Sequence, residues 1–404
     1  MIFSRFPSYA HYDELPPIVT EYQNFDSLLI PRTHSSRNVS DTYYINKDVL
    51  LRTHTSAHQA QLIKAGVEND NSIIEKNKNL LIKGKKENIN RRFLAAADVY
   101  RRDEIDSSHY PIFHQMEGVT LFSKENFYQE IEKSRNDRNE FRTISSSDGF
   151  GKAKLIVETV DDTAVTDSNP FQSVHKPEEI KLLIEDMKET MNDMVSHILS
   201  HAMKPPTGSE KELTGSSSED NKLKVRWIEA YFPFTSPSWE LEVWWNNEWL
   251  EICGCGIMRD ELLVKSGAGD KLGWAFGFGL DRLAMILFGI PDIRLFWSSD
   301  KRFLNQFSPG KISQFKPFSK YSSCFKDVSF WTAPVTEKIV LDVKKDEDSD
   351  KNIGTVFFEN DLMDIVREVA GDLVDNVTLV DKFVNPKTNR TSLCYRINYC
   401  AMDR

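Results

Sequence analysis

Two arginines and a histidine, set in a charged run between two strand-like segments, are the first residues here whose types suggest chemistry. Val99 and Tyr100 precede the run, and Ile112 and Met116 alternate with Phe113, Gln115 and Glu117 after it. That alternation predicts two strands. The middle, Arg101 to Pro111, holds five charged residues and is too polar to be a strand. An antiparallel pair joined by such a loop would aim Arg101, Arg102 and His109 at an anion. A merely soluble surface hairpin accounts for this stretch equally well.

A second stretch breaks the tie. Residues 273–288 read as a glycine-interleaved strand running into an apolar helix, with Asp281 and Arg282 at the junction. Ala275, Gly277 and Gly279 recur at every second position, so one strand face is bare and a ligand can lie against it. Arg282, at the helix start, could reach a phosphate there. Gly277 and Gly279 do not make a dinucleotide fingerprint, because the third glycine is absent.

Together these stretches resemble motifs 2 and 3 of the class II aminoacyl-tRNA synthetases, and in detail the phenylalanine-specific, single-chain mitochondrial branch. Further stretches similar to that family follow in its order: 24–31, 51–56, 231–234, 249–256 and 291–296. The resemblance covers nearly the whole chain. Residues 31–37 resemble a loop of the family with two departures, Thr33 for an aspartate and Ser35 for a proline.

The resemblance implies an α+β fold. Residues 1–299 would form the catalytic domain, an antiparallel sheet flanked by helices. Residues 300–325 would be a linker, and 326–404 a ferredoxin-like anticodon-binding domain. Its β-α-β-β order lacks the last helix and strand, and the family's motif 1 helix and targeting segment are not visible ahead of the match. The chain is therefore expected to be incomplete, with an uncovered strand edge and apolar sheet face that make the C-terminal domain marginally stable.

The resemblance also implies activation of phenylalanine by ATP and transfer to tRNA(Phe). Arg101 would meet the α-phosphate, Arg282 the γ-phosphate, His109 the phosphate tail, and Phe113 the adenine. Asp103 is expected near the ammonium group or the adenine. Glu251 occupies an acidic position that binds Mg2+ in related enzymes, where one or two carboxylates plus phosphates suffice. His54, Ser56, Gln115 and Glu117 match residues that hold the amino acid's ammonium and carboxylate. Phe232 and Phe234 flank Pro233 and would offer two ring edges to the substrate ring, over a floor left open by Ala275 and Gly277. Without a partner for a phenol hydroxyl, such a pocket rejects tyrosine by only about 10²-fold. No stretch is left over for an editing domain, so some tyrosine would be mischarged and not cleared.

Composition sets bounds on this. The 404 residues suffice for two domains or more. A net charge of −10 does not by itself suggest a nucleic-acid binder. A tRNA partner then needs positive charge gathered locally. Lys382, Lys387, Arg390 and Arg396, in a hairpin near the C-terminus, are the best such candidates, and a solvated hairpin is the plain alternative. No apolar run approaches the roughly 20 residues of a membrane helix. Five scattered cysteines suit a reducing compartment. Cys253 and Cys255 are spaced for strand packing, not for redox or zinc chemistry.

Elsewhere, residues 57–64 read as a helix capped by Thr55 or Ser56, and 67–92 as a polar insertion loop. A polar helix near 124–138 precedes a loose polar stretch, and an amphipathic helix runs from about Pro177 to Met203. Residues 207–221 read as a loop, and 223–256 as strands. A monomer in the mitochondrial matrix, with no membrane contact, completes the expectation. Its rivals are another class II enzyme with a different bulky substrate and an inactive tRNA-binding or regulatory relative.

Overall fold

The computed structural model describes residues 9–68, 91–147, 156–202, 222–245, 247–317, 323–332 and 357–400. The expected insertion at 67–92 and loop at 207–221 lie almost wholly outside these residues. Strands are numbered in chain order: β1 (Ala10–Tyr12), β2 (Ile18–Thr20), β3 (Tyr44–Asn46), β4 (Val49–Leu51), β5 (Arg92–Tyr100), β6 (Ile112–Ser123) and β7 (Ile156–Val160). They continue as β8 (Lys222–Ala230), β9 (Thr235–Trp245), β10 (Glu248–Met258), β11 (Lys271–Gly279), β12 (Cys324–Trp331), β13 (Val374–Val384) and β14 (Thr391–Tyr399). The principal sheet has eight strands in the order β1-β5-β6-β11-β10-β9-β8-β7. Only its two edge pairs, β1 with β5 and β7 with β8, are parallel. Strands β2, β4 and β3 form a small separate sheet.

Period-two alternation decides which face of the large sheet does what. Along β11, Trp274, Phe276 and Phe278 are buried in the core beneath two long helices, α1 (Phe127–Ser147) and α2 (Pro177–Leu199). Gly273, Ala275, Gly277 and Gly279 lie on the other face. Helix α2 has Pro177 in its first turn with Glu178 and Glu179, as helix starts favour. Its Ile180, Leu183, Met187, Met191, Met194 and Ile198 keep helical spacing and are all buried. Burying each such side chain contributes roughly 1.5–3 kcal/mol before chain entropy is counted, so Met187→Asp would break this layer.

Two local readings differ from the structure. The polar helix continues to Ser147, beyond the expected end near 138, and the following segment contains β7. The helix after β4 opens with a 3-10 turn, Thr55–His58, entered from His54, and no side chain caps it. The cap position is His54, so Thr55 and Ser56 lie inside the turn and do not cap it.

Residues 300–317 of the expected linker do not run free. Asp300 caps a short helix, Lys301–Leu304, and Phe303 and Phe315 are buried with Met285, Ile290 and Leu295. Beyond them, β12, helix α4 (Glu359–Ala370), β13 and β14 appear in the expected β-α-β-β order, as a three-stranded sheet β12-β14-β13. Met363 and Val366 of α4 pack on Leu393, Tyr395 and Ile397. The opposite sheet face exposes Phe325, Trp331 and Phe383. Among the described residues, no helix is long and apolar enough to cross a membrane.

Candidate active site

The face of the large sheet opposite α1 and α2 carries a cavity of about 840 Å³. Four adjacent strands, β6, β11, β10 and β9, build its wall, and the Arg101–Pro111 loop forms one side. Of the residues singled out in the sequence, His54, Ser56, Arg101, Asp103, His109, Phe113, Gln115, Phe232, Phe234, Glu251, Ala275, Gly277 and Arg282 all line it. Glu117, opposite Gly277 in the β6–β11 register, is buried in the wall itself.

One half of the cavity is apolar with a few buried polar groups. The rings of Phe232 and Phe234 stack, with centroids 5.8 Å apart. Gly254 makes room for the Phe232 ring, since a Cβ added there would come within 2.7 Å of it and the ring would have to shift. Gly277 faces open space, with nothing within 4 Å of a Cβ built there. Against these surfaces lie two buried groups without a well-formed hydrogen bond. Glu117 is 1% exposed, and neither carboxylate oxygen has a well-formed hydrogen bond. Burial pushes its pKa up to about 7, against a small lowering by the nearby Ser56 hydroxyl. His54 is buried with both ring nitrogens unmet, and burial followed by the Arg101 charge depresses it to about 3. It is a neutral imidazole at any ordinary pH. Buried polar groups in native proteins are nearly always paired. Two unmet ones facing an apolar slot point to a ligand carrying both an ammonium and a ring.

The other half is cationic. Arg101 donates through Nε to the Thr53 carbonyl at 2.9 Å and lies 5.2 Å over the Phe113 ring. Burial lowers its pKa, while Asp103 and Glu251 oppose that. Arg282 enters from helix α3 (Leu280–Phe288) and donates through Nη1 to the Glu251 carbonyl at 3.0 Å. His109 pairs with Asp106 at 2.8 Å, and that hydrogen bond raises its pKa despite burial. Burial pushes the Asp106 carboxyl up, but the His109 and Ser108 donors outweigh it and hold it well below its usual range. Asp281 accepts from the backbone N–H and ring of His114, which fixes the start of α3 against β6. Two guanidinium groups and an imidazole biased toward its cation, beside an aromatic face, suit a polyphosphate and a base.

Two carboxylates also line the cavity, one of them, Glu251, 3.7 Å from Arg282. Glu251 is on β10 and the other, Glu240, on β9, opposite Gly254 in the register. Burial first, then the charges of Glu251 and Glu242, pushes Glu240 up to about 7. A divalent cation with phosphate ligands would hold both groups ionised, so this hard-oxygen donor set fits Mg2+. Sequence reading named Glu251 alone. Glu240 shares an alternating strand with Glu242, and only the β9–β10 register shows which of them meets the cavity. Asn360 was also missed, since it reaches the rim from α4, more than 240 residues beyond the loop it faces.

The four basic residues near the C-terminus are not gathered into one patch. Arg396 forms a two-point pair with Asp327 and lies 4.2 Å over Phe325. Arg390 lies 5.9 Å over Trp331. Lys382 stands opposite Leu393, on the helix side of the sheet, while Phe383 beside it meets Trp331 on the outer side. Lys387 is exposed in the turn between β13 and β14. Strand alternation separates what the sequence places close together.

Comparison with known proteins agrees with this geometry. Residues 4–131 and 210–307 match the family model described as tRNA synthetases class II core domain (F). The chain is 44% identical to the mitochondrial phenylalanine–tRNA ligase of Saccharomyces cerevisiae, covering 97% of this chain and 77% of that one. It is 41% identical to the mitochondrial phenylalanine–tRNA ligase of Mus musculus, covering 100% and 71%. With a probable mitochondrial phenylalanine–tRNA ligase of Drosophila melanogaster it shares 41% identity, over 98% and 74%.

Proposed function

Because this chain belongs to the class II aminoacyl-tRNA synthetases, in the mitochondrial phenylalanine–tRNA ligase family, we propose that it activates phenylalanine with ATP and transfers it to tRNA(Phe). The observation that carries the reading is the unpartnered Glu117 and His54 beside the Phe232–Phe234 slot. Glu117, with Gln115 and Ser56, takes the ammonium; ionisation of Glu117 is what that cation would favour. The substrate ring lies against Phe232 and Phe234 over Ala275 and Gly277. Neutral His54 offers a hydrogen bond to the carboxylate side without adding charge.

Held there, a carboxylate oxygen attacks the α-phosphorus of ATP, the bond to the bridging oxygen breaks, and pyrophosphate leaves with its electron pair. No protein nucleophile is required; the chain's residues orient the reactants and meet developing charge. Arg101 meets the α-phosphate, Phe113 stacks on the adenine, and Asp103 lies beside it. Arg282 and His109 hold the departing phosphates. Glu251 and Glu240 would hold Mg2+, which neutralises phosphate charge when bound. In the second step a terminal hydroxyl of the tRNA attacks the acyl carbon and AMP leaves. Lys387 and Arg390 are the basic residues of the C-terminal sheet best placed to meet an RNA backbone, and residues 326–404 are read as the anticodon-binding unit. The word mitochondrial in the relatives' names supports action inside mitochondria, and the chain is read as a monomer of the matrix.

The test is amino-acid-dependent ATP–pyrophosphate exchange with a panel of amino acids. Phenylalanine supports exchange, tyrosine does so about 10²-fold less well, and Arg282→Ala lowers it by about 10²–10³-fold. Exchange with another bulky amino acid but not with phenylalanine would overturn the assignment.

A further inference from the structure

Helix α4 lies across the loop that carries Arg101. Through Nδ2, Asn360 donates to the carbonyl of Arg102 at 2.9 Å and to that of Ser40 at 2.7 Å. Two turns further along, Arg367 donates to the carbonyls of Asp103 and Glu104, the latter at 2.8 Å. Arg102 points toward α4, pairing with Asp361 at 2.5 Å and Asp364 at 2.7 Å. Tyr43 adds a hydrogen bond to Asp364. Ile105 is 5% exposed, buried in the C-terminal core with Met363, Val366 and Val377. Three successive peptide carbonyls, 102 to 104, therefore each accept from an α4 side chain, and the next residue is plugged into the core beneath that helix. This loop has no regular structure of its own. Alongside hydrogen bonds to Asp41, Thr53 and Ile293, what holds its 102–105 segment is a helix more than 240 residues away in sequence.

We propose that α4 is a positioning element for nucleotide binding: by holding carbonyls 102–104 and Ile105, it presets Arg101, Asp103 and His109 for ATP. The proposal rests on the reading that this loop binds ATP. By linkage, docking of α4 and binding of ATP strengthen one another by the same factor. Asn360 also lines the cavity and would touch the nucleotide directly, whereas Arg367 does not line it. Arg367 is thus the residue that separates positioning from contact.

The experiment is pyrophosphate exchange by the full chain and its variants. Arg367→Ala and Asn360→Asp each raise the KM for ATP about tenfold, the effect of losing two hydrogen bonds, and leave the KM for phenylalanine within about twofold. Arg367→Lys, with a single-point donor in place of a fork, recovers part of the loss. Glu368→Ala, exposed on the same helix, behaves as the unmodified chain. An unchanged ATP KM in Arg367→Ala would overturn the proposal. A second measurement needs no variant: a non-hydrolysable ATP analogue slows hydrogen exchange at the amides of α4 and of residues 102–105, and unaltered exchange there would also overturn it. Failure of the unmodified chain to catalyse exchange would count against the functional reading, and the analogue measurement would still decide this one.

Discussion

The cavity wall and the C-terminal sheet handle their polar groups in opposite ways. In and beside the wall, Glu117 and His54 are buried with no well-formed hydrogen bond to their side-chain polar atoms, at a standing cost that the surrounding fold sustains. On the C-terminal sheet, Arg396 is partly exposed and already paired with Asp327, and Arg390 lies on Trp331. An unmet group held in a rigid setting marks a demand for a ligand, whereas a charge paired on an open surface does not. Residue type alone would have ranked the two regions the other way, since arginines are more conspicuous than a strand glutamate.

Four experiments sharpen or break that contrast. The largest effect is expected at Arg282: Arg282→Ala lowers kcat for pyrophosphate exchange by about 10²–10³, the loss typical of a preorganised donor to transition-state charge. A kcat within about threefold of the unmodified chain would remove Arg282 from the chemistry. Next is Glu117→Gln, which raises the KM for phenylalanine about 10–100-fold, as for a charge-assisted hydrogen bond, with the ATP KM little changed. The sign of its pH dependence follows from its raised pKa. With a folded pKa near 7, the carboxylate is lost as pH falls through 7, so phenylalanine binding weakens by up to tenfold per unit below it. The same shift destabilises the free fold as pH rises from the ordinary carboxylate range through 7, and bound phenylalanine offsets this. A KM flat between pH 6 and 8 would contradict the assignment.

Gly254→Ala comes third. Its methyl group would force the Phe232 ring out of the slot, costing about 1–3 kcal/mol as overpacking does and raising the phenylalanine KM about tenfold. Normal kinetics would mean that Phe232 does not shape the pocket. The smallest effect is expected on the C-terminal sheet. Arg396→Ala changes the apparent affinity for tRNA by less than about threefold, because Asp327 already answers that charge. A tenfold loss would show that the pair opens to RNA and would erase the distinction between the two regions.

Much of the site was legible in the chain because strand alternation is local. The spacing of Ala275, Gly277 and Gly279 exposed a bare face, and Gln115 and Glu117 fell on one side of β6 by the same rule. Cys253 and Cys255 proved to be buried strand residues. What escaped was set by register and by long-range docking. Glu240 faces the cavity because β9 pairs with β10 as it does, and Asn360 arrives from a helix whose place no nearby residue dictates. Lys382 and Arg396 were grouped by sequence proximity, although strand geometry sends them to opposite faces. Phe303 and Phe315 turned an expected linker into part of the packed core, a pairing of two single aromatics that leaves no period to read.

The most direct measurement is calorimetric titration of phenylalanine into the protein at pH 7, in buffers of different ionisation enthalpy. If Glu117 is the ammonium's partner, binding drives its carboxyl to the ionised state and releases roughly half a proton per site, and that release disappears in Glu117→Gln along with most of the affinity. Binding without proton release, or equally tight binding by Glu117→Gln, would contradict the claim that the unmet carboxylate in the cavity wall is the amino-acid site.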